Sequence, residues 1–315
     1  MTLDVLSDIL RSLHLKGGVY FQCDFRAPWG MKIKPTPVAE FHLVTRGQCW
    51  LRLGSRTRPV PLHVGDIVVF PHGDGHTLLD APNAAAVPAD QIVGGQNLDA
   101  YGPVVYGGKG LPAGLLCGYF EFDRESRHPL VAALPPLIHI RGTDAQDFAR
   151  LQSVIGLITH ETGKPRPGAD AVVNRLAEVL FIQILRAHIE RADAPPGILA
   201  AIADKQIGDA LAHLHNAPEK PWSVASLGRK VAMSRSAFAA RFARLVGETP
   251  MEYLALRRME KARELLRIGG TNAAAVAEQV GYRSEAAFSK AFKRIVGTGP
   301  GAFRRRSSRR PWRVS

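Results

Sequence analysis

The spacing of hydrophobic positions changes along the chain. Between residues 18 and 123 they fall in short β-branched or aromatic runs: VYFQCDF, EFHLV, CWLRLG and DIVVF. Gly- and Pro-containing segments, APWG, TRGQ, VGD and PHGDG, separate them. Short strands with regular turns predict an antiparallel sandwich or barrel. Residues 81–112 are rich in small side chains and predict a long surface loop. From residue 143 the spacing becomes helical, in TDAQDFARLQSVIGLITHET and ADAVVNRLAEVLFIQILRAHIER. In the second segment Val172, Leu176, Val179, Leu180, Gln183 and Ile184 recur at helical intervals, and Asp170 or a neighbour can cap its start. That apolar face is broader than one solvent-facing helix needs, so it serves as domain core or as a subunit interface. ADAPPG (192–197) breaks the pattern and predicts a linker; from Asp204 onward the chain reads as helix and turn.

Within this helical third a unit occurs twice. MSRSAFAARFARLVGETPMEY (233–253) and RSEAAFSKAFKRIVGTGPGAF (283–303) share a frame fifty positions apart, aligning Ser234 with Ser284, Phe238 with Phe288, Phe242 with Phe292, Gly247 with Gly297, Pro250 with Pro300 and Tyr253 with Phe303. A short helix precedes each, WSVASLGRKV and AAAVAEQV, followed by the turns AMS and GYRS. Two Phe at i, i+4 lie on one helical face, against the first helix. Ser234 and Ser284 sit where an N-cap belongs, and Gly247 and Gly297 where a helix ends in a left-handed residue. This predicts a helix-turn-helix built twice. The joining helix, 250–268, would span ~28 Å at 1.5 Å per residue. That approaches the ~34 Å separating successive major grooves on one face of B-DNA.

Charge sharpens the picture. The net charge is +13, and from Lys205 to the end there are 22 Lys/Arg against 8 Asp/Glu. A basic last third joined to a near-neutral remainder points to a polyanionic partner for that third. The tail RRRSSRRPWRVS, with six arginines, adds phosphate attraction without sequence preference. The N-terminal stretch does not read as a signal peptide and no apolar run approaches membrane-spanning length, so a cytoplasmic location is expected. Cys23, Cys49 and Cys117 are too few and too scattered for a disulfide framework or a zinc finger.

The segment from about Ile207 to Arg305 resembles the DNA-binding domain of the AraC/XylS family of bacterial transcription regulators. The resemblance is carried by Trp222, Leu227, Ser234, Phe238, Phe242, Gly247, Pro250, Tyr253 and Arg257, and in the second half by Val276, Gly281, Tyr282, Ser284, Phe288, Phe292, Gly297, Pro300 and Phe303. It implies double-stranded DNA and RNA polymerase as partners, and activation as the usual output. The readers are expected at the outward positions of each second helix: Arg235, Ser236, Ala239, Ala240 and Ala243, then Glu285, Ala286, Ser289, Lys290 and Lys293. Arg and Lys can reach guanine edges or phosphates, Glu can accept from cytosine, and Ala can meet thymine methyls. Arg241, one position round the helix, is expected on a phosphate or an internal partner.

Upstream, Gly65, Pro71, Gly73 and His76 keep a G-x5-P-x-G-x2-H spacing that resembles the second cupin motif, and Glu40 and Gly47 keep the E-x6-G of the first. Residues 3–190 thus resemble the cupin-type domain of some AraC-like regulators. A cupin enzyme commonly holds its metal with three His and a Glu, but Lys34 and Thr36 stand where the paired His would fall. With Glu40, His76 and nearby His42 in poor register, no metal and no cofactor are expected. Trp29, His42, Trp50, His72 and His76 are candidates for the lining of a ligand-binding interior. Cys23, which has Arg26 nearby, together with Cys49 and Cys117, are candidates for oxidant detection if a thiol is exposed with a lowered pKa.

The expected architecture is α+β and multidomain. A cupin-like antiparallel β-barrel with a helical dimerisation segment (1–192) is followed by a linker (193–203), an all-α domain with two helix-turn-helix motifs (204–305) and a basic tail (306–315). The expected function is sequence-specific transcription regulation by a homodimer, under a signal such as a small-molecule effector sensed in the first domain. The competing class is a metal-dependent cupin isomerase or oxygenase with a helical DNA-binding appendage; a third is a nucleoid-type binder without sequence preference.

Overall fold

A computed structural model describes residues 5–13, 15–54, 58–94, 103–122, 129–143, 145–163, 166–190, 197–268 and 271–308. The chain forms two compact units, Leu13–Asp193 and a second made of Met1–Ser12 together with Ala194–Ser315. The expected first domain, 1–192, therefore gives up its N-terminal helix, α1 (Val5–Ser12), to the other unit. The cause is the helix's apolar stripe: Val5, Leu6 and Ile9 are buried.

The first unit contains β1 (Lys16–Arg26), β2 (Gly30–Ile33), β3 (Ala39–Arg46), β4 (Gln48–Arg52), β5 (Val60–His63), β6 (Ile67–Phe70) and β7 (His76–Leu79). The four predicted runs fall on β1, β3, β4 and β6, whereas β2, β5 and β7 fall outside them. The segment 81–112 is not a plain surface loop. It carries β8 (Val87–Pro88), α2 (Ala89–Val93) and β9 (Val104–Gly107), and Ile92 and Val104 are buried in the core. β10 (Pro112–Glu121), α3 (Pro129–Ala132) and β11 (Ile138–Ile140) follow. The strands make two sheets rather than one closed barrel, ordered β11-β6-β3-β10-β1-β9 and β5-β4-β7-β2-β8. Most neighbours are antiparallel; β1/β9 and β2/β8 are parallel. One hydrophobic core draws on both sheets, with Phe25, Val68, Phe70 and Leu115 from the first and Met31, Leu51, Leu62 and Leu78 from the second.

The helical segment forms α4 (Ala145–Gly163) and α5 (Ala169–Glu190). α5 lies against β1, where a Cβ on Gly17 would come 2.8 Å from the Ala177 Cβ, so the glycine permits the close approach. α5 uses one stripe for the core, Val173, Ala177, Leu180 and Ile184. A second stripe through Val172 and Val179 is exposed, together with Leu157 of α4.

Most of the ADAPPG segment lies outside the described residues, but 198–203 is not linker. Its Ile198, Leu199 and Ala201 are buried, forming α6 (Ile198–Ala203) against the next helix, α7 (Lys205–Asn216). Then come α8 (Val224–Lys230), α9 (Arg235–Val246), α10 (Pro250–Ile268), α11 (Ala273–Gln279), α12 (Glu285–Val296) and α13 (Pro300–Ser308). The first three residues of the expected tail, 306–308, end α13, and residues 309–315 lie outside the described ones.

Candidate nucleic-acid interface and buried histidine cluster

Both recognition units are assembled as their shared residues dictate. The Ser234 hydroxyl accepts from the Ala237 amide and that of Ser284 from Ala287, each at 3.2 Å. Gly247 and Gly297 end α9 and α12 at φ 86° and 83°. Each copy closes on three rings. Phe238, Phe242 and Tyr253 lie 5.6 and 5.8 Å apart in succession, and Phe288, Phe292 and Phe303 lie 5.5 and 5.6 Å apart.

The copies differ by one residue in the turn. The amide of Met233 bonds the Gly228 carbonyl, and that of Tyr282 bonds Ala277, both at 2.8 Å. These pairs repeat at 49 positions, whereas the caps and rings repeat at 50. Arg283, exposed between Tyr282 and the Ser284 cap, is the extra residue. The unequal turns AMS and GYRS carry the same difference in the sequence. The left-handed residue that closes the first helix is Gly281 in the second copy and Ala232, at φ 54°, in the first. A Cβ on Gly281 would meet the Glu219 carbonyl oxygen at 2.3 Å, so that turn requires glycine.

The structure places Arg235, Ser236 and Ala240 of α9 in solvent, with Ala239 and Ala243 half-buried at the margin. On α12, Glu285, Ala286, Lys290 and Lys293 are exposed and Ser289 is half-buried. Arg241 takes the internal partners: its guanidinium donates to Gln206 Oε1 at 3.0 Å and Asp204 Oδ2 at 2.6 Å. Asp204 also caps α7 through the amides of Gln206 and Ile207.

The back of this unit holds a buried polar network absent from the expectations. Asp8 of α1 accepts from His215 Nδ1 at 2.5 Å and from Arg257 at 2.6 Å, and His215 Nε2 meets the Tyr253 hydroxyl at 2.7 Å. Burial opposes the Asp8 charge, but the His215 hydrogen bond and Arg257 hold its carboxyl below the usual range. Burial, only partly offset by Asp8, holds His215 below its ordinary value, so a neutral ring donates from Nδ1 and accepts from Tyr253.

In the first unit, Glu40 and His42 stand two apart on β3 and therefore share a face. His76 opens β7 in the other sheet. His42 Nε2 lies 2.7 Å from His76 Nε2. His76 Nδ1 bonds the Asp74 carbonyl at 2.9 Å, and His42 Nδ1 meets Cys117 Sγ at 3.1 Å. Because His76 Nδ1 carries the proton given to Asp74, its Nε2 accepts from His42, whose Nδ1 accepts from the Cys117 thiol. Phe70 stacks on His76 with centroids 3.7 Å apart. Burial holds His42 well below, and His76 down at about 4, so both rings are neutral. Burial raises Glu40 to about 7 against the Thr36 hydrogen bond.

Of the other lining candidates, Trp29 is buried in the core against Phe25. Trp50 is on the opposite face of β4 from the core residues Cys49 and Leu51, and His72 is exposed, bonding the Leu134 carbonyl. Neither joins the cluster. The three cysteines are buried, with Cys23 and Cys117 sulfurs 4.0 Å apart. Burial pushes the Cys49 thiol up to about 12, and the Cys23 hydrogen bond and burial push Cys117 up. Oxidant detection needs an accessible, low-pKa thiol; the burial of all three, and the raised Cys49 and Cys117, run against it.

Comparison with known proteins bears on both units. Residues 4–190 match the cupin family and residues 227–306 the helix-turn-helix domain family. An AraC-like transcription regulator of Streptomyces antibioticus is 34% identical over 96% of this chain and 99% of its own length. The chain belongs to the AraC-like transcription regulators. AlkR of Acinetobacter baylyi, another HTH-type transcriptional regulator, is 32% identical over 97% of this chain and its full length. In this AraC-like regulator no helix among the described residues is long and apolar enough to cross a membrane.

Proposed function

We propose that this regulator reads duplex DNA with α9 and α12 in adjacent major grooves and, as a homodimer, activates transcription through contact with RNA polymerase. The observation that carries the reading is a repeated ring-packed scaffold that turns different side chains outward: Arg235 against Glu285, Ala240 against Lys290. The signal enters through the first unit, and it acts only if it binds one conformation better than another. No catalytic step is part of this function. Genome-wide mapping of bound sites, with competition against random duplex at fixed salt, tests the reading; equal binding to operator and random DNA would sink it.

Arg235→Ala or Lys290→Ala is expected to weaken operator binding by ~1–3 kcal/mol where the side chain reads a base. An equal loss on random duplex assigns that side chain to phosphate instead.

The exposed stripe of Leu157, Val172 and Val179 is 40–53% exposed and supports dimerisation through α4 and α5. Full-length Val179→Asp is expected to sediment as a monomer where the parent sediments as a dimer. An unchanged sedimentation coefficient would place the interface elsewhere.

A further inference from the structure

We propose that Glu40, His42 and His76 bind a divalent transition-metal ion of the zinc class. One ligand atom from each lies within 4.8 Å of the others, and all three residues are buried. Two observations point to an ion. First, both imidazoles turn Nε2 toward one point while Nδ1 is held from outside, by the Asp74 carbonyl and by Cys117. Metal-binding histidines are oriented by just such outer partners. Second, Glu40 Oε2 is buried and has no hydrogen-bond partner among the described residues. A buried carboxylate oxygen without a partner is costly, and a cation satisfies it.

The ligand set is this chain's own. Lys34, at one paired-His position of the cupin motif, is exposed and bonds Asp90 at 3.0 Å. Thr36, at the other, donates to the Val38 carbonyl. His42 supplies the second nitrogen because it shares a strand face with Glu40. The register that looked poor along the chain is closed by the approach of β3 and β7 from facing sheets.

The geometry needs little adjustment. Two imidazole nitrogens on tetrahedral zinc, at ~2.05 Å each, stand ~3.3 Å apart. The rings must therefore separate by ~0.6 Å from their 2.7 Å hydrogen bond. The His42 proton moves from Nε2 to Nδ1, where the Cys117 sulfur accepts it. Three protein ligands leave a fourth position for water or a small anion, and N2O donors suit zinc and cobalt. The site lies wholly in the first unit, so it is testable without any assumption about DNA.

The test is titration of chelator-treated, full-length protein with Zn2+ and with Co2+ as an optical probe. One equivalent per chain is expected, with a rise in melting temperature. Visible Co2+ bands should come without thiolate charge transfer, because Cys117 sits on the far nitrogen of His42. His42→Ala and His76→Ala should weaken binding at least ~100-fold, and the near-isosteric Glu40→Gln should weaken it with near-UV dichroism unchanged. Failure to bind one equivalent, full affinity in His76→Ala, or a strong thiolate charge-transfer band would overturn the assignment. Should the His variants misfold, the Co2+ spectrum of the parent and the Glu40→Gln affinity decide the matter.

Discussion

Phe292→Ala is expected to destabilise the second recognition unit by about 3–5 kcal/mol, the usual range for truncating a fully buried phenylalanine. The ring has no solvent exposure and packs between Phe288 and Phe303. Met259, Leu266, Val276 and Val280 close the same cluster. α11 and α12 are 7 and 12 residues long, too short to persist in water without that shared core. The cavity would loosen the platform that aims Lys290, so operator affinity should fall with stability. Chemical denaturation separates this from Lys290→Ala, which should change affinity and leave stability within about 0.5 kcal/mol. A loss below about 1 kcal/mol in Phe292→Ala would mean that the cluster does not hold the unit together.

Asp8→Ala is expected to destabilise the C-terminal unit by about 3 kcal/mol, although residue 8 stands some two hundred positions from its contacts. The carboxylate serves two buried donors, His215 and Arg257, whose side chains are 0% and 11% exposed. Its removal leaves His215 Nδ1 without a partner and Arg257 with Glu260 at 3.0 Å. The signs of the acid response follow from the shifts. Asp8, held below its ordinary 3.8, contributes stability above that value and loses it as pH falls through the lower folded pKa. His215, held below 6.5, favours the neutral ring; its contribution is complete above 6.5 and erodes below. Both losses fall on the acid side, so the parent should melt progressively lower from pH 6.5 downward, and Asp8→Ala should lack the part below about pH 4. Thermal melts of the full chain across pH 3–8 check both points. A melting curve in Asp8→Ala that follows the parent at every pH would show that α1 does not brace this unit.

The double helix-turn-helix was legible because its signals are local. A capping serine, two phenylalanines one turn apart and a terminal glycine act within a dozen residues, and each did what its chemistry requires. β1, β3, β4 and β6 were legible from their own β-branched and aromatic runs, whereas β2 and β5 carry no such run. The stretch 81–112 was not, since small residues hide that Ile92 and Val104 reach the core. Nor was 198–203, where six residues next to a Pro-rich break carry too little periodicity to mark α6.

By itself the sequence determined where α9 and α12 begin and end, which of their rings face inward and which third of the chain carries the positive charge. All of these depend on neighbours along the backbone. Only the tertiary structure decided the buried pairings: Asp8 with His215 and Arg257, Arg241 with Asp204, and His42 with His76. A titratable side chain shows one letter whether it ends in water or in a core. Its partner is chosen by which strands and helices meet, and that is set by the packing of apolar faces across the whole chain.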